Sequence, residues 1–97
     1  MEKIPYDQFI DTLAAAQAKV TPGTRWRHYR GNEYIVKDIV LLEATIEVAV
    51  VYAPVDQPQV AFVRPITSWF ELISTGGQPL QRFTKLADPA PVTPVAV

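Results

Sequence analysis

The chain has 97 residues, of which 48% are hydrophobic and 20% are charged, and its formal net charge is −1. These values predict one globular domain and exclude both a disordered chain and a strongly basic nucleic-acid binder. Cysteine is absent and His28 is the single histidine, so we expect no disulfide, no metal site and no cofactor. No apolar run of about twenty residues or signal core is present, which predicts a cytoplasmic protein without membrane contact.

The first predicted element is a helix over residues 5–19. Pro5 suits the first helical turn, and the helix dipole favours the early acidic residue Asp7. The apolar residues that share one helical face are Tyr6, Phe9, Ile10, Leu13 and Ala16. We expect this amphipathic helix to pack on the rest of its own domain. The alternative is that it forms the contact of a weak homodimer.

Residues 24–86 show the pattern of short strands separated by turns. Strands are predicted at 25–30, 34–42, 46–52, 59–64 and 81–86, with turns such as Gly31-Asn32 and Gly76-Gly77 between them. Lys37-Asp38 interrupts the second strand and predicts a bulge, Pro65 should end the fourth strand, and residues 67–72 suit a helical turn. The predicted core residues are Val36, Ile39, Val48, Val50, Phe62, Val63, Phe70 and Phe83. This pattern favours a mainly β fold, a small SH3-like antiparallel barrel of about five strands.

The C-terminal segment, residues 87–97, differs from the rest in composition. It contains Pro89, Pro91 and Pro94 among small residues. Such a sequence cannot build a core and predicts a disordered, extended tail. The single domain is therefore predicted over residues 1–86, with its barrel at about 24–86. Removal of the tail should leave the melting temperature nearly unchanged.

A series of short motifs runs from about residue 23 to residue 86. In chain order they are Arg27-His28-Tyr29-Arg30-Gly31, Tyr34, Val36, Thr45, Glu47, Val50-Val51-Tyr52, Val63-Arg64-Pro65, Phe70 and Arg82-Phe83. In order and spacing they resemble the bacterial domain of unknown function numbered 1653. The resemblance implies a small β-rich domain, found alone or attached to other domains, and it carries no established reaction.

The chain departs from the pattern of that family at several positions. Residues 42–44 read Leu-Glu-Ala where the family tends to have His-Ser-Glu. Phe62 stands in place of a frequent tryptophan, Trp69 in place of a methionine, and Asp56 in place of an aromatic residue. If the His-Ser-Glu triplet belongs to a binding site in relatives, that site is altered here.

The densest polar segment is residues 25–30, which holds three of the five arginines, the only histidine and two of the ten aromatic residues. Basic groups interleaved with aromatic rings suit pairing with anions and stacking on bases. Alternate residues of a strand lie on opposite faces. The two predicted sets are Arg25, Arg27 and Tyr29, and Trp26, His28 and Arg30. The candidate ligand-binding residues are Trp26, Arg27, His28, Tyr29, Arg30 and Arg64. Arg82 is a possible neighbour of this set, since barrel strands bring distant residues together.

We expect an anionic ligand to contact His28 and Arg30, with Trp26 or Tyr29 as a flat wall. Binding through a histidine of unperturbed pKa should strengthen as the pH falls through about 6.5, and it should weaken with salt. The structural alternative is that the rings belong to the core and the arginines pair with acids or cover apolar surface.

Arg64 gives this alternative a specific form, because it comes at the end of a predicted strand. We expect it to pair there with Glu47 or Glu71. A fully solvated Arg64 without a partner would instead indicate a ligand contact.

The chain carries no catalytic signature, so we expect it not to be an enzyme. His28 has no serine or cysteine in a recognised arrangement beside it, as nucleophilic catalysis requires. The leading hypothesis is a non-catalytic binding or accessory module whose partner is an anionic ligand or another protein. The alternative is a nucleic-acid or nucleotide-binding accessory domain that uses the arginine and aromatic strand, and a small hydrolase is a third possibility.

Overall fold

The computed structural model describes residues 4–87, and the predicted flexible tail from residue 88 onward lies outside the described residues. The elements in chain order are α1 (Tyr6–Lys19), β1 (Arg25–His28), β2 (Glu33–Leu42), β3 (Glu47–Pro54), β4 (Phe62–Pro65), α2 (Ile66–Trp69), β5 (Leu72–Ile73), β6 (Leu80–Gln81) and β7 (Phe83–Lys85). The predicted N-terminal helix and the mainly β character of the remainder are confirmed.

The five longer strands form one antiparallel sheet in the order β4-β3-β2-β1-β7, while β5 and β6 form a separate two-stranded ladder. The predicted closed barrel is wrong, because β4 and β7 are the two edges of this sheet and do not pair with each other. Closure needs the first and last strands to share a ladder. Here β4 has four residues and β7 three, and Pro65 cannot donate a backbone hydrogen bond.

The predicted bulge in β2 is confirmed. Val36 pairs with Tyr52 and Asp38 pairs with Val51, so Lys37 is an extra residue between them. Ile39 then pairs with Val50, and the Asp38 carboxylate accepts a hydrogen bond of 2.8 Å from the Ile39 amide. Because one residue is inserted, Val36 and Ile39 are both buried although they are three positions apart.

The core lies between one face of the sheet and the two helices. Its buried residues are Ala16, Val20, Trp26, Val36, Ile39, Val50, Tyr52, Trp69 and Phe83. Helix α1 packs on β2 and β3, as expected for an amphipathic helix docked on its own domain. Helix α2 buries Trp69, whose ring stacks on Phe83 with centroids 3.9 Å apart. This aromatic stack forms the end of the core nearest β1 and β7.

The predicted core is correct for the central strands and for Phe83 on β7, and it is wrong for β4 and for Phe70. Val36, Ile39, Val50 and Phe83 are buried and Val48 is half-buried, but Phe62, Val63 and Phe70 are 44%, 52% and 45% exposed. Strand β4 has a neighbouring strand on one side only, and α1 packs elsewhere, on β2 and β3. Phe62 and Val63 therefore lie at a sheet edge that α1 does not cover, whereas Phe70 lies outside the sheet, at the residue that follows α2. No helix within residues 4–87 has the length and apolar character needed to cross a bilayer.

Candidate anion-binding site

Strand β1 divides the predicted basic segment between the two faces of the sheet. Arg25 and Arg27 lie exposed on the outer face, where the Arg27 guanidinium is 3.5 Å from the Glu33 carboxylate. Trp26 and His28 lie on the inner face, with Trp26 only 5% exposed and its ring edge-on to Trp69 at 5.5 Å. The predicted alternation is therefore present over residues 25–28. It does not extend to Tyr29 and Arg30, which belong to the turn that follows β1. The consequence of the alternation is that Trp26 belongs to the core and leaves no open ring face for a ligand, while Arg27 is turned away from His28.

The turn after β1 folds its side chains back onto His28. Gly31 adopts a left-handed backbone with φ 109°, and its amide donates to the His28 carbonyl at 2.7 Å. The Arg30 amide donates to His28 Nδ1 at 3.2 Å, so the neutral imidazole carries its proton on Nε2. The Tyr29 ring lies 4.4 Å from the His28 ring, and the Arg30 guanidinium lies 5.6 Å from the centroid of Tyr29. The turn thus brings an arginine, a phenol ring and an imidazole N–H donor together.

Arg64 reaches the same region from the opposite edge of the sheet. Its Nε donates to the Tyr52 hydroxyl at 3.3 Å, its Nη1 donates to Ser68 Oγ at 2.8 Å, and its guanidinium lies 5.8 Å from the Phe83 ring centroid. The predicted pairing with Glu47 or Glu71 is wrong, since no carboxylate of residues 4–87 lies within ion-pair distance of Arg64. Arg64 is not fully solvated either, so the condition predicted for a ligand contact is not met. Its charge is partly buried against neutral hydroxyl groups and an aromatic face.

Arg82 forms the third side of the region, just before β7. Its Nε donates to the Ser68 carbonyl at 3.2 Å, and its Nη2 lies 3.4 Å from Glu71 Oε2. The Arg82 backbone is held on both sides, because its amide donates to the Glu71 carbonyl and its carbonyl accepts from the Tyr29 amide. Ser68 therefore anchors two guanidinium groups, that of Arg64 through its hydroxyl and that of Arg82 through its carbonyl.

His28, Arg30, Arg64 and Arg82 together form what we call the cationic cluster. Partial burial, followed by the positive charges of Arg82, Arg30 and Arg64, lowers the pKa of His28 below its usual value of 6.5. The imidazole is therefore neutral at pH 7, and the positive charge of the cluster comes from its three guanidinium groups. The guanidinium N–H groups and the His28 Nε2–H are all hydrogen-bond donors, so the cluster is suited to bind an anion.

Three contributors to this arrangement were absent from the predicted ligand-binding set: Arg82, Ser68 and the Tyr52 hydroxyl. Arg82 could be expected from the sequence only as a possible neighbour, because its place depends on β7 pairing with β1. No sequence pattern pointed to Ser68, because its role depends on how α2 follows directly after β4 in the fold. Within residues 4–87, no group of three or more histidine or acidic side chains is placed to hold a metal ion.

A family model described as "Protein of unknown function (DUF1653)" matches residues 24–85. The chain belongs to the DUF1653 family. This match runs from just before β1 to the end of β7 and includes the whole cationic cluster, and it confirms the resemblance of the motifs. A crystal structure of a DUF1653 protein from Bordetella bronchiseptica is 28% identical to this chain, with a TM-score of 0.58 over 75% of this chain and 96% of that chain. No curated protein matches this DUF1653 chain.

Proposed function

We propose that this DUF1653 domain is a non-catalytic binding module that holds an anionic ligand at the cationic cluster. The observation that carries the proposal is the state of Arg64. A partly buried guanidinium is normally balanced by a carboxylate, because removal of charge from water is costly. The described acceptors of Arg64 are the neutral hydroxyls of Tyr52 and Ser68. A ligand anion would supply the missing negative charge at little additional desolvation cost to the arginine.

The position of the ligand follows from the positions of the donors. His28 and Arg30 belong to the end of β1 and its turn, whereas Arg64 and Arg82 are both anchored on Ser68. Tyr29 is the half-exposed ring beside these groups, so it takes the role of flat wall that the buried Trp26 cannot take. Ligand binding on the open end of a curved small β domain is familiar from SH3-like folds, and membership of that fold group stays a prediction here.

The hydrogen bonds of the site support a binding role over a catalytic one. Nucleophilic catalysis needs a hydroxyl or thiol hydrogen-bonded to a base. His28 Nδ1 is occupied by the Arg30 amide, and the Ser68 hydroxyl accepts from Arg64. Within residues 4–87, no hydrogen bond joins His28 to a serine or threonine hydroxyl. These groups are arranged to donate to a ligand rather than to activate a nucleophile.

A nucleotide is the alternative ligand, and the placement of Tyr29 is the observation that favours it. Its ring lies beside Arg30 and His28, so a base could stack there while a phosphate contacts the arginines. A long nucleic acid is less well matched. Arg25 and Arg27 lie on the opposite face of β1, so the basic segment does not present all its charge to one polyanion.

The test is an NMR titration of isotope-labelled protein at low salt with citrate, a mononucleotide and a short single-stranded oligonucleotide. We expect the Nε–H signals of Arg64 and Arg82 and the amide signals of residues 28–31 to shift. A hydrogen bond to a charged group contributes about 1.5–3 kcal/mol, so Arg64→Gln should weaken binding about tenfold or more. Arg30→Gln should also weaken binding, and it removes no described side-chain hydrogen bond.

Arg25→Gln is the matched control, because it removes the same charge from the exposed outer face of β1, the strand that precedes the Arg30 turn. It should change affinity less than about twofold, as expected for a screened, distant surface charge. Equal weakening by Arg25→Gln and Arg30→Gln would show that attraction is general rather than local. Absence of shifts in the cationic cluster with every anion at millimolar concentration would contradict the proposal.

A further inference from the structure

We propose that the anion held by the cationic cluster is the phosphomonoester group of a small molecule, and that this group replaces the Glu71 carboxylate on Arg82. The inference rests on the proposed function and specifies its ligand. Three features of the site carry it, namely its local charge, its anchored donors and the carboxylate that already occupies one of its arginines.

The local charge of the cluster favours a dianion over a monoanion. Arg30, Arg64 and Arg82 supply three positive charges, and Glu71 is the one carboxylate of residues 4–87 that ion-pairs with any of them. With His28 neutral, the formal local charge is +2 while Glu71 is paired with Arg82, and +3 once Glu71 is released. A phosphomonoester carries about −1.5 to −2 near pH 7 and offers three acceptor oxygens. A phosphodiester or a simple carboxylate carries one negative charge and leaves more of the positive charge of the cluster uncompensated.

The donors of the cluster are held in place before any ligand arrives. Ser68 anchors Arg64 through Nη1 and Arg82 through Nε, and Tyr52 anchors Arg64 through Nε. These bonds leave Nη2 of Arg64 and Nη1 of Arg82 without a described acceptor. Because both arginines are tied to the same residue, their free nitrogen atoms can be shared by the oxygens of one tetrahedral group. Preorganised donors bind an anion with a smaller loss of side-chain entropy.

Glu71 gives the site its selectivity between anions. It lies 3.4 Å from Arg82, and its side chain is 56% exposed, so its release into water costs little. As part of the same chain, it competes at an effective concentration in the millimolar range. A ligand carboxylate has the same chemistry as Glu71 and gains no advantage over it. A phosphomonoester has an additional charge and an additional acceptor oxygen, and therefore displaces Glu71 where a carboxylate does not.

The experiment compares three minimal probes that differ in charge and oxygen number: methyl phosphate, dimethyl phosphate and acetate. Each is titrated into the full chain at pH 7.5 and low salt, with the arginine Nε–H signals and calorimetry as readouts. We expect methyl phosphate to shift the signals of Arg64 and Arg82 and to bind about tenfold or more tightly than the other two, in line with one additional charge-assisted hydrogen bond. Adenosine monophosphate and glucose 6-phosphate then identify the source of the phosphate. If adenosine monophosphate binds more tightly than glucose 6-phosphate, Tyr29 takes part in recognition. If the two bind equally, only the phosphate is recognised. Both outcomes support the proposal.

The competition by Glu71 is tested with Glu71→Gln. Removal of an exposed ion pair of this kind should raise the affinity for methyl phosphate about two- to fivefold. Glu33→Gln is the matched control, because it removes the same charge from an exposed ion pair, that with Arg27, on the outer face of the sheet. It should leave the affinity unchanged within about a factor of 1.5, as expected for a screened charge.

The outcomes separate this inference from the function on which it rests. If acetate, dimethyl phosphate, citrate or an oligonucleotide binds at the cluster as tightly as methyl phosphate, the binding function stands and the phosphomonoester assignment is overturned. If Glu71→Gln weakens binding, or Glu33→Gln strengthens it equally, the displacement of Glu71 is overturned. If no anion shifts the cluster signals, both the function and its ligand are overturned.

Discussion

Replacement of Phe83 by leucine tests how much the aromatic end of the core contributes to stability. The Phe83 ring is buried and stacks on Trp69 at 3.9 Å, and it also meets His28 at 5.1 Å and Tyr52 at 5.6 Å edge-on. Leucine keeps most of the apolar burial but removes these ring contacts, each of which contributes about 0.5–1.5 kcal/mol and which do not add fully. With the small cavity that leucine leaves, we expect a loss of about 2–3 kcal/mol in the free energy of unfolding.

The assay is urea unfolding followed by circular dichroism, because the change lies beside a fluorescent tryptophan. With a urea dependence of about 1–2 kcal/mol per molar for a domain of this size, the midpoint should fall by about 1–3 M. Phe62→Leu is the matched control on exposed edge strand β4, and it should cost less than about 0.5 kcal/mol. An unchanged midpoint for Phe83→Leu, or an equal loss for Phe62→Leu, would refute the assignment of the core to this end of the sheet.

Three further predictions concern the pH response, the turn and the helix. Because the pKa of His28 is lowered in the folded state, the unfolded chain binds more protons than the folded chain as the pH falls through about 6.5. The free energy of unfolding, measured with urea, should therefore fall between pH 7.5 and pH 5.5. The His28→Gln variant should lose less stability over that range. Gly31→Ala should cost about 1–2 kcal/mol because φ is 109°, and Gly77→Ala, with an ordinary φ, should leave the thermal midpoint nearly unchanged. Ala16→Asp should bury a charge under α1 and reduce the free energy of unfolding by on the order of 3 kcal/mol, which lowers the melting temperature by more than about ten degrees. Ala14→Asp, on the exposed side of the same helix, should have little effect on the melting temperature.

The sequence predicted the elements that depend on local pattern. The helix that begins near Pro5, the bulge at Lys37 and the end of β4 at Pro65 all follow from residue type and periodicity. Whether the sheet closes into a barrel could not be predicted from local pattern, because closure depends on how far the short edge strands reach around the core. The same long-range information decides that Phe62 is exposed while Val50 is buried, although both lie in apolar runs.

The candidate site was likewise predictable only where it depends on local sequence pattern. Alternation within a strand correctly separated Arg27 from His28, and a tight turn at Gly31 was expected from its glycine. The neighbours of His28 from other elements, Arg64 and Arg82, depend on the sheet order and on the position of Ser68 after β4. No local pattern encodes that two arginines eighteen positions apart are anchored on one serine.

The extra residue in β2 has a consequence for how the length of this chain can vary. Without Lys37, Val36 and Asp38 would be adjacent and would face the consecutive partners Tyr52 and Val51 in an uninterrupted ladder. A one-residue deletion elsewhere in this strand would turn the following side chains to the wrong face, whereas loss of Lys37 leaves every inward residue in phase. The contact that would be lost is the hydrogen bond from Lys37 Nζ to the Pro58 carbonyl, which joins β2 to the loop before β4. Relatives one residue shorter in this region should therefore place their gap at Lys37, and their sheets should be less strongly twisted there.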